Sequence, residues 1–161
     1  MSPSTRAGRW ALPVAIVVAV LDQATKAWIV GLNLGLGAGP TIPGPIRLTL
    51  IENDGISYGF LQGGAAWIRW ALAAFAVAVT VGLGLWARRA ERLIASVGLG
   101  LVMGGAIGNV ADRVLRGAVV DFIDARALHF PWIFNPADSA ITVGIILLLI
   151  DSLAPSRKAA S

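Results

Sequence analysis

The chain has no cysteine and a single histidine, His129, among its 161 residues. The first absence excludes disulfides, thiolate metal sites and cysteine nucleophiles; the second excludes a histidine-rich metal site. Charge is scarce too, at 14% of residues against about 25% in soluble domains. Apolar residues fill the gap. They make up 57% of the chain, against about 45–50% in soluble domains, and mean hydropathy is +0.76. This is the composition of an integral membrane protein. The net charge of +4 comes from basic residues gathered at the ends of apolar runs. That placement speaks for membrane orientation and against a nucleic-acid partner.

Four apolar runs are long enough to be helices, at about 10–31, 65–87, 93–114 and 137–153. At ~1.5 Å per residue the first reaches roughly 33 Å, enough to cross a hydrocarbon core of about 30 Å. A basic start before an apolar run also fits a secretory signal peptide. This run is long for one, and no small-x-small cleavage site ends it. Segments 32–64 and 115–136 are more polar. In the first, Pro40, Pro43 and Pro45 break any helix. The glycines of 34–39 lack the strand–turn–helix setting of a nucleotide-binding loop. Ile46–Ile51 alternates like a strand, Asn53-Asp54-Gly55 is a turn signal, and Ile56–Phe60 is expected to return as a second strand. The expectation is one membrane domain over 1–161, an all-α four-helix bundle with a small β-platform at the membrane surface.

Orientation follows from the basic residues. Arg6, Arg9, Arg88, Arg89, Arg92, Arg157 and Lys158 lie in three segments that four spans put on one side. The positive-inside rule makes that side cytoplasmic, with both termini there and both polar segments outside. Trp10 and Trp86 then fall at the inner interface, and Trp28, Trp67, Trp70 and Trp132 at the outer one.

The polar residues of 104–138 stand out against this background. Asp112, Asp121, Asp138, Asn109, Asn135 and Arg113 lie between or within apolar runs. A carboxylate at a helix centre costs roughly 2.5–3.5 kcal/mol on insertion scales, so several together mark a site. The bland reading, a solvated loop, fails for Asn109 and Asp112, which fall inside helical periodicity. Gly100, Gly104 and Gly108 recur every four residues, a face that admits a close helix neighbour, and Asp112 is its next step. Asp22 and Lys26 are four apart on the first helix and can pair. Asp121 follows the third span and Asp138 begins the fourth, so neighbouring helices can bring the two together. Two adjacent carboxylates share a proton; one then activates water while the other protonates a leaving nitrogen. That would be peptide hydrolysis with no serine, cysteine or metal. Spacing alone equally allows a proton or ion relay.

These residues carry a resemblance. Asp22-Gln-Ala-Thr-Lys26, Asn53-Asp-Gly-Ile-Ser-Tyr-Gly59, Gly104-Gly-Ala-Ile-Gly-Asn-Val-Ala-Asp-Arg113, Val119-Val-Asp-Phe122 and Phe134-Asn-Pro-Ala-Asp-Ser-Ala-Ile141 stand in order along nearly the whole chain. Together they resemble the bacterial lipoprotein signal peptidases, or signal peptidases II. The resemblance implies an aspartic endopeptidase of the inner membrane, its active site toward the extracytoplasmic face. Such enzymes cut a prolipoprotein before its diacylglyceryl-modified cysteine. Asp121 and Asp138 match the catalytic pair. Asp22, Lys26, Asn53, Gly55, Asn109, Asp112, Arg113, Asn135 and Ala137 match positions supporting the dyad, substrate or inhibitor. The family has an extracytoplasmic β-cradle and a short helix in the second polar segment. It uses no metal or cofactor, works against membrane lipid and is inhibited by globomycin. Two departures are mild: Ile56-Ser57-Tyr58 stands where Ala-Ala-Phe is frequent, and Pro136 where Val is common.

Two other classes compete. A small proton- or ion-coupled transporter would use Asp22, Asp112, Asp121 and Asp138 as a relay, but no relay continues toward the cytoplasm. A scaffold subunit would use the glycine stripe, which is expected to pack inside the bundle. Asp54, Asp124, Asp151 and His129 are expected at the surface or interface. The sequence assigns no oligomeric state.

Overall fold

A computed structural model of the chain describes residues 7–33, 35–39, 44–55 and 65–154. Four helices, each apolar and long enough to cross a membrane, make up most of it. They are α1 (Ala11–Gly31), α2 (Ala65–Ala87), α3 (Leu93–Leu115) and α4 (Pro136–Leu153). A 3-10 turn, Gly8–Trp10, leads into α1. Pro13 is tolerated because it lies in the first turn, where backbone N–H groups have no helical acceptor.

The bundle is built around α3. Of its span 67% is buried inside the protein, against 22% for α1 and 11% each for α2 and α4. Small residues allow this. A side chain at Gly100 or Gly104 would strike Ala11, Val14, Ala15 or Val18 of α1, and one at Gly108 would strike the Asp22 carboxylate. The four-residue stripe is therefore the α1 contact. A second set, Gly98 and Gly105 with Gly144, brings α4 against the opposite side. Lipid tails are as apolar as leucine, so close backbone packing of this kind supplies the association that water would drive elsewhere.

The remaining elements form a three-stranded antiparallel sheet, β1 (Arg47–Asn53), β2 (Val119–Asp124) and β3 (Ile133–Phe134), in the order β1-β2-β3. Here the expected topology changes. The strand over 46–51 is present as β1, but its partner is β2, drawn from the other polar segment: Ile51 faces Asp121 and Asn53 faces Val119. The expected return strand, Ile56–Phe60, lies outside the described residues. An extra residue bulges from β1 between Leu48 and Ile51, which sets how far along β2 the end of β1 reaches. Leu50, Val120 and Phe122 pack on Ile29 near the end of α1. Ile29, fully buried, is thus one seat of the sheet on the bundle.

Candidate active site

Five elements, α1, α3, α4, β1 and β2, bring the polar residues to one end of the bundle. Asp121 comes from the centre of β2, and Asp138 from the first turn of α4. Asp121 is 1% exposed, whereas Asp138 is half-buried. Asn135 joins them. It is the N-cap of α4, its Oδ1 accepting from Asp138 N at 2.9 Å while its own N–H donates to Asp138 Oδ2 at 3.3 Å. This reciprocal cap satisfies helix-end donors and fixes the Asp138 rotamer. Pro136 at the first helical position loses no hydrogen bond there. The same Asn135 donates from Nδ2 to Asp121 Oδ1 at 2.6 Å. One buried residue therefore touches both carboxyls, Asp121 through its side-chain amide and Asp138 through its backbone N–H.

Two further asparagines complete the ring. Asn109 donates to Asp138 Oδ1 at 2.8 Å, and Asn53 donates to Asp121 Oδ2 at 2.9 Å. Asn53 is aimed by the turn that the sequence signals: Gly55, at φ +83°, donates its N–H to Asn53 Oδ1 at 2.9 Å. A side chain at Gly55 would meet Leu72, so a small residue is needed for space as well as for φ. Burial raises the Asp121 pKa above the ordinary carboxyl range, and the nearby Asp138 raises it further. The Asn53 and Asn135 hydrogen bonds and the Lys26 charge oppose the rise without cancelling it.

Beneath this ring lies a second cluster, in which Asp22, Lys26 and Asp112 are fully buried. Lys26 Nζ is 2.9 Å from Asp22 and 2.7 Å from Asp112. Arg116 also pairs with Asp112, so two cations meet two carboxylates. Asp22 Oδ1 accepts the Ala137 N–H at 3.0 Å, and Asp112 Oδ2 accepts the Val120 N–H at 3.2 Å. The cluster thereby holds the start of α4 and the start of β2, the elements that carry Asp138 and Asp121.

Eight of the expected residues, Asp22, Lys26, Asn53, Asn109, Asp112, Asn135, Asp121 and Asp138, share one hydrogen-bonded network. Gly55 and Ala137 enter it through backbone N–H groups. Arg113 stands at its margin: it donates to the Asn109 carbonyl at 3.3 Å, and its buried Nε meets no acceptor among the described residues. Sequence reasoning passed over Gln23 and the inward role of Arg116. Gln23 Nε2 lies within 3.2 Å of Asp22, Asp112 and the Gly108 carbonyl. Its place beside Asp22 was the available signal. Asp124 is a correction: it is buried, because Arg126 folds over it and Thr49 donates to it. The Arg126 hydrogen bonds hold its pKa well below the usual carboxyl range.

A cleft of about 570 Å³ opens over the two carboxyls. Phe130, Trp132 and Phe134 form one wall, and Ser139, Thr142 and Val143 of α4 the other. Phe130 and Phe134 meet edge to face at 5.6 Å. Thr142 and Val143, one turn beyond Asp138, continue the opening along the membrane span. Their spacing from Asp138 was readable in the sequence but went unused.

Comparison with known proteins agrees with this arrangement. The profile of the signal peptidase (SPase) II family matches residues 14–154. A lipoprotein signal peptidase of Caulobacter vibrioides is 51% identical over 151 residues, covering 92% of this chain and 89% of that protein. One of Methylobacterium radiotolerans is 42% identical over 160 residues, covering 95% and 89%. Two solved structures, each described as a bacterial membrane enzyme, superpose with TM-scores of 0.78 and 0.76 at 32% and 30% identity. The first spans 97% of this chain and 99% of that one, the second 100% and 99%. A transporter is not supported; the carboxylates lie in a peptidase fold. On the extent of these matches, the chain belongs to the signal peptidase II family.

Proposed function

We propose that Asp121 and Asp138 are the catalytic dyad of an endopeptidase that removes the signal peptide from diacylglyceryl-modified prolipoproteins. The observation that carries the reading is the convergence of both carboxyls on Asn135 at the floor of a cleft. With one proton between them, the ionised carboxylate takes a proton from water as its oxygen attacks the scissile carbonyl carbon. The protonated partner gives its proton to the nitrogen as the C–N bond breaks. The raised pKa of Asp121 favours a retained proton in the pair. Arg113, with hydrogen-bonding capacity to spare at the margin, is suited to the substrate backbone.

The apolar walls of the cleft and its continuation beside Thr142 and Val143 suit an acylated residue held at interface depth. Acyl chains left in the bilayer would then position the peptide bond, remote binding energy serving orientation. Globomycin, a cyclic lipopeptide, would occupy the same cleft. The clusters of basic residues set the termini in the cytoplasm and the dyad on the outer side of the inner membrane, and residues 1–161 act as one peptidase domain.

The test is a gel-shift assay of purified protein on diacylglyceryl-modified and unmodified precursor. Cleavage before the lipidated cysteine, absent in Asp121→Asn and Asp138→Asn and much slower without the lipid, is the expected result. Full activity in both variants would remove the dyad assignment. Equal rates on the two precursors would remove the lipid requirement.

A further inference from the structure

Lys26 is fully buried and touches neither carboxyl of the dyad, yet the amides around the dyad are arranged from it. An ammonium has three N–H donors and no acceptor. Those of Lys26 go to Asp22 Oδ2 at 2.9 Å, Asp112 Oδ2 at 2.7 Å and Asn109 Oδ1 at 3.0 Å. Asn109 must therefore turn its oxygen toward α1, which leaves its Nδ2 for Asp138 Oδ1 at 2.8 Å. Asn135 Nδ2 joins Lys26 on Asn109 Oδ1 at 3.2 Å. That fixes the Asn135 oxygen toward the Asp138 N–H at 2.9 Å. At the far side the Gly55 N–H, another group that only donates, orients Asn53 in the same way. As a result each of the four dyad oxygens receives an N–H: Asp138 from Asn109 and Asn135 N, Asp121 from Asn53 and Asn135 Nδ2.

We propose that Lys26 is a positioning residue that sets the donor direction of the Asn109–Asn135 amide pair and so confines the dyad's shared proton to lone pairs facing the cleft. The inference rests on the dyad assignment above and adds to it the device that orders the proton. An isolated asparagine presents oxygen or nitrogen with similar ease. Released from Lys26, Asn109 can turn its oxygen to Asp138, and only a protonated carboxyl can meet an acceptor. The charged groups around the dyad are Asp22 and Lys26 from α1, and Asp112, Arg113 and Arg116 from α3. Neither α2 nor β1 adds an ion pair to them among the described residues.

Lys26→Met alone would leave Asp22 without a cation and Asp112 with Arg116 only, so the test changes charge in pairs. Lys26→Met with Asp112→Asn leaves Arg116 and Asp22, one charge of each sign, and the net charge beneath the dyad is unchanged. Lys26→Met with Asp22→Asn does the same with Arg116 and Asp112, and serves if the first pair folds poorly. The readout is the pH titration of the protonated-carboxyl infrared band, assigned to the dyad by its loss in Asp121→Asn. It does not depend on turnover, so a parent that fails to cleave precursor counts against the proposed function and not against this inference. The expected midpoint rises by about one pH unit, a tenfold change in proton affinity. In a cleaving parent background kcat falls roughly 100-fold with KM little changed, the scale of a lost acid–base contribution. A folded double variant that keeps the parent midpoint overturns the inference, since a purely structural Lys26 would alter thermal stability and leave that midpoint in place.

Discussion

Two carboxylate pairs sit one above the other in this bundle, and the protein treats them in opposite ways. Asp22 and Asp112 are fully buried and share the Lys26 ammonium at 2.9 and 2.7 Å, with Arg116 added. Asp121 and Asp138 are joined by amides, with no cation in contact with either among the described residues. A buried carboxylate tied to a cation is committed to that contact, which holds the fold together. One offered only neutral donors in a desolvated place can hold a proton, and that is what hydrolysis needs. If the proposed dyad holds, burial alone does not mark a catalytic pair; the absence of a contacting cation does.

The largest effect should come from breaking the buried ion pairs. Lys26→Met leaves Asp22 without a cation and Asp112 with Arg116 only, and removing one partner of a buried ion pair typically costs about 3–5 kcal/mol. A large fall in the unfolding midpoint in detergent is expected, partly recovered when Asp112→Asn is added. Gly108→Ala attacks the same cluster sterically, because the added carbon lands on the Asp22 carboxylate. Overpacking of this kind costs about 1–3 kcal/mol, seen as a smaller drop in the same midpoint.

The proposed dyad is better probed by pH. Asp121, its pKa raised by burial, contributes stability that is present below the unfolded carboxyl pKa and is lost as pH rises through the higher folded value. Asn53 opposes that rise, so Asn53→Ala should move the alkaline limb of the kcat profile to higher pH. A roughly 10- to 100-fold loss of kcat should accompany it, the scale of a hydrogen bond to a charged group at ~1.5–3 kcal/mol. The smallest effect belongs to the sheet. Arg126 depresses the Asp124 pKa, so that pair contributes stability above about pH 4 that is lost as pH falls through the folded value. Arg126→Gln should lower stability slightly at neutral pH and not at all in acid. Arg126 is 59% exposed, and salt should shrink the difference.

The sequence made the bundle legible because span length and hydropathy depend on local composition. The Asp22–Lys26 pair followed from four-residue spacing, and the Asn53–Gly55 turn from side-chain chemistry. What stayed hidden depends on contacts distant in the chain. Five of the six residues of β2 are buried, so it shows no polar alternation to mark it as a strand. Its pairing with β1 joins residues about seventy positions apart, for which neither segment carries a local sign. Asp124 looked like a surface charge because its cover is the Arg126 side chain and a threonine from β1. Asn135 was recognisable as a candidate, but its contact with both carboxyls exists only once β2 and α4 meet.

The contrast between the pairs can be measured most directly by difference infrared spectroscopy of the carboxyl bands from about pH 4 to pH 8, spanning the ordinary carboxyl range and above. The parent would be compared with Asp121→Asn and Asp112→Asn. The last carboxyl to lose its proton as pH rises should vanish in Asp121→Asn and persist in Asp112→Asn. A band that survives Asp121→Asn and disappears with Asp112→Asn would put the retained proton on the lower pair and contradict the account.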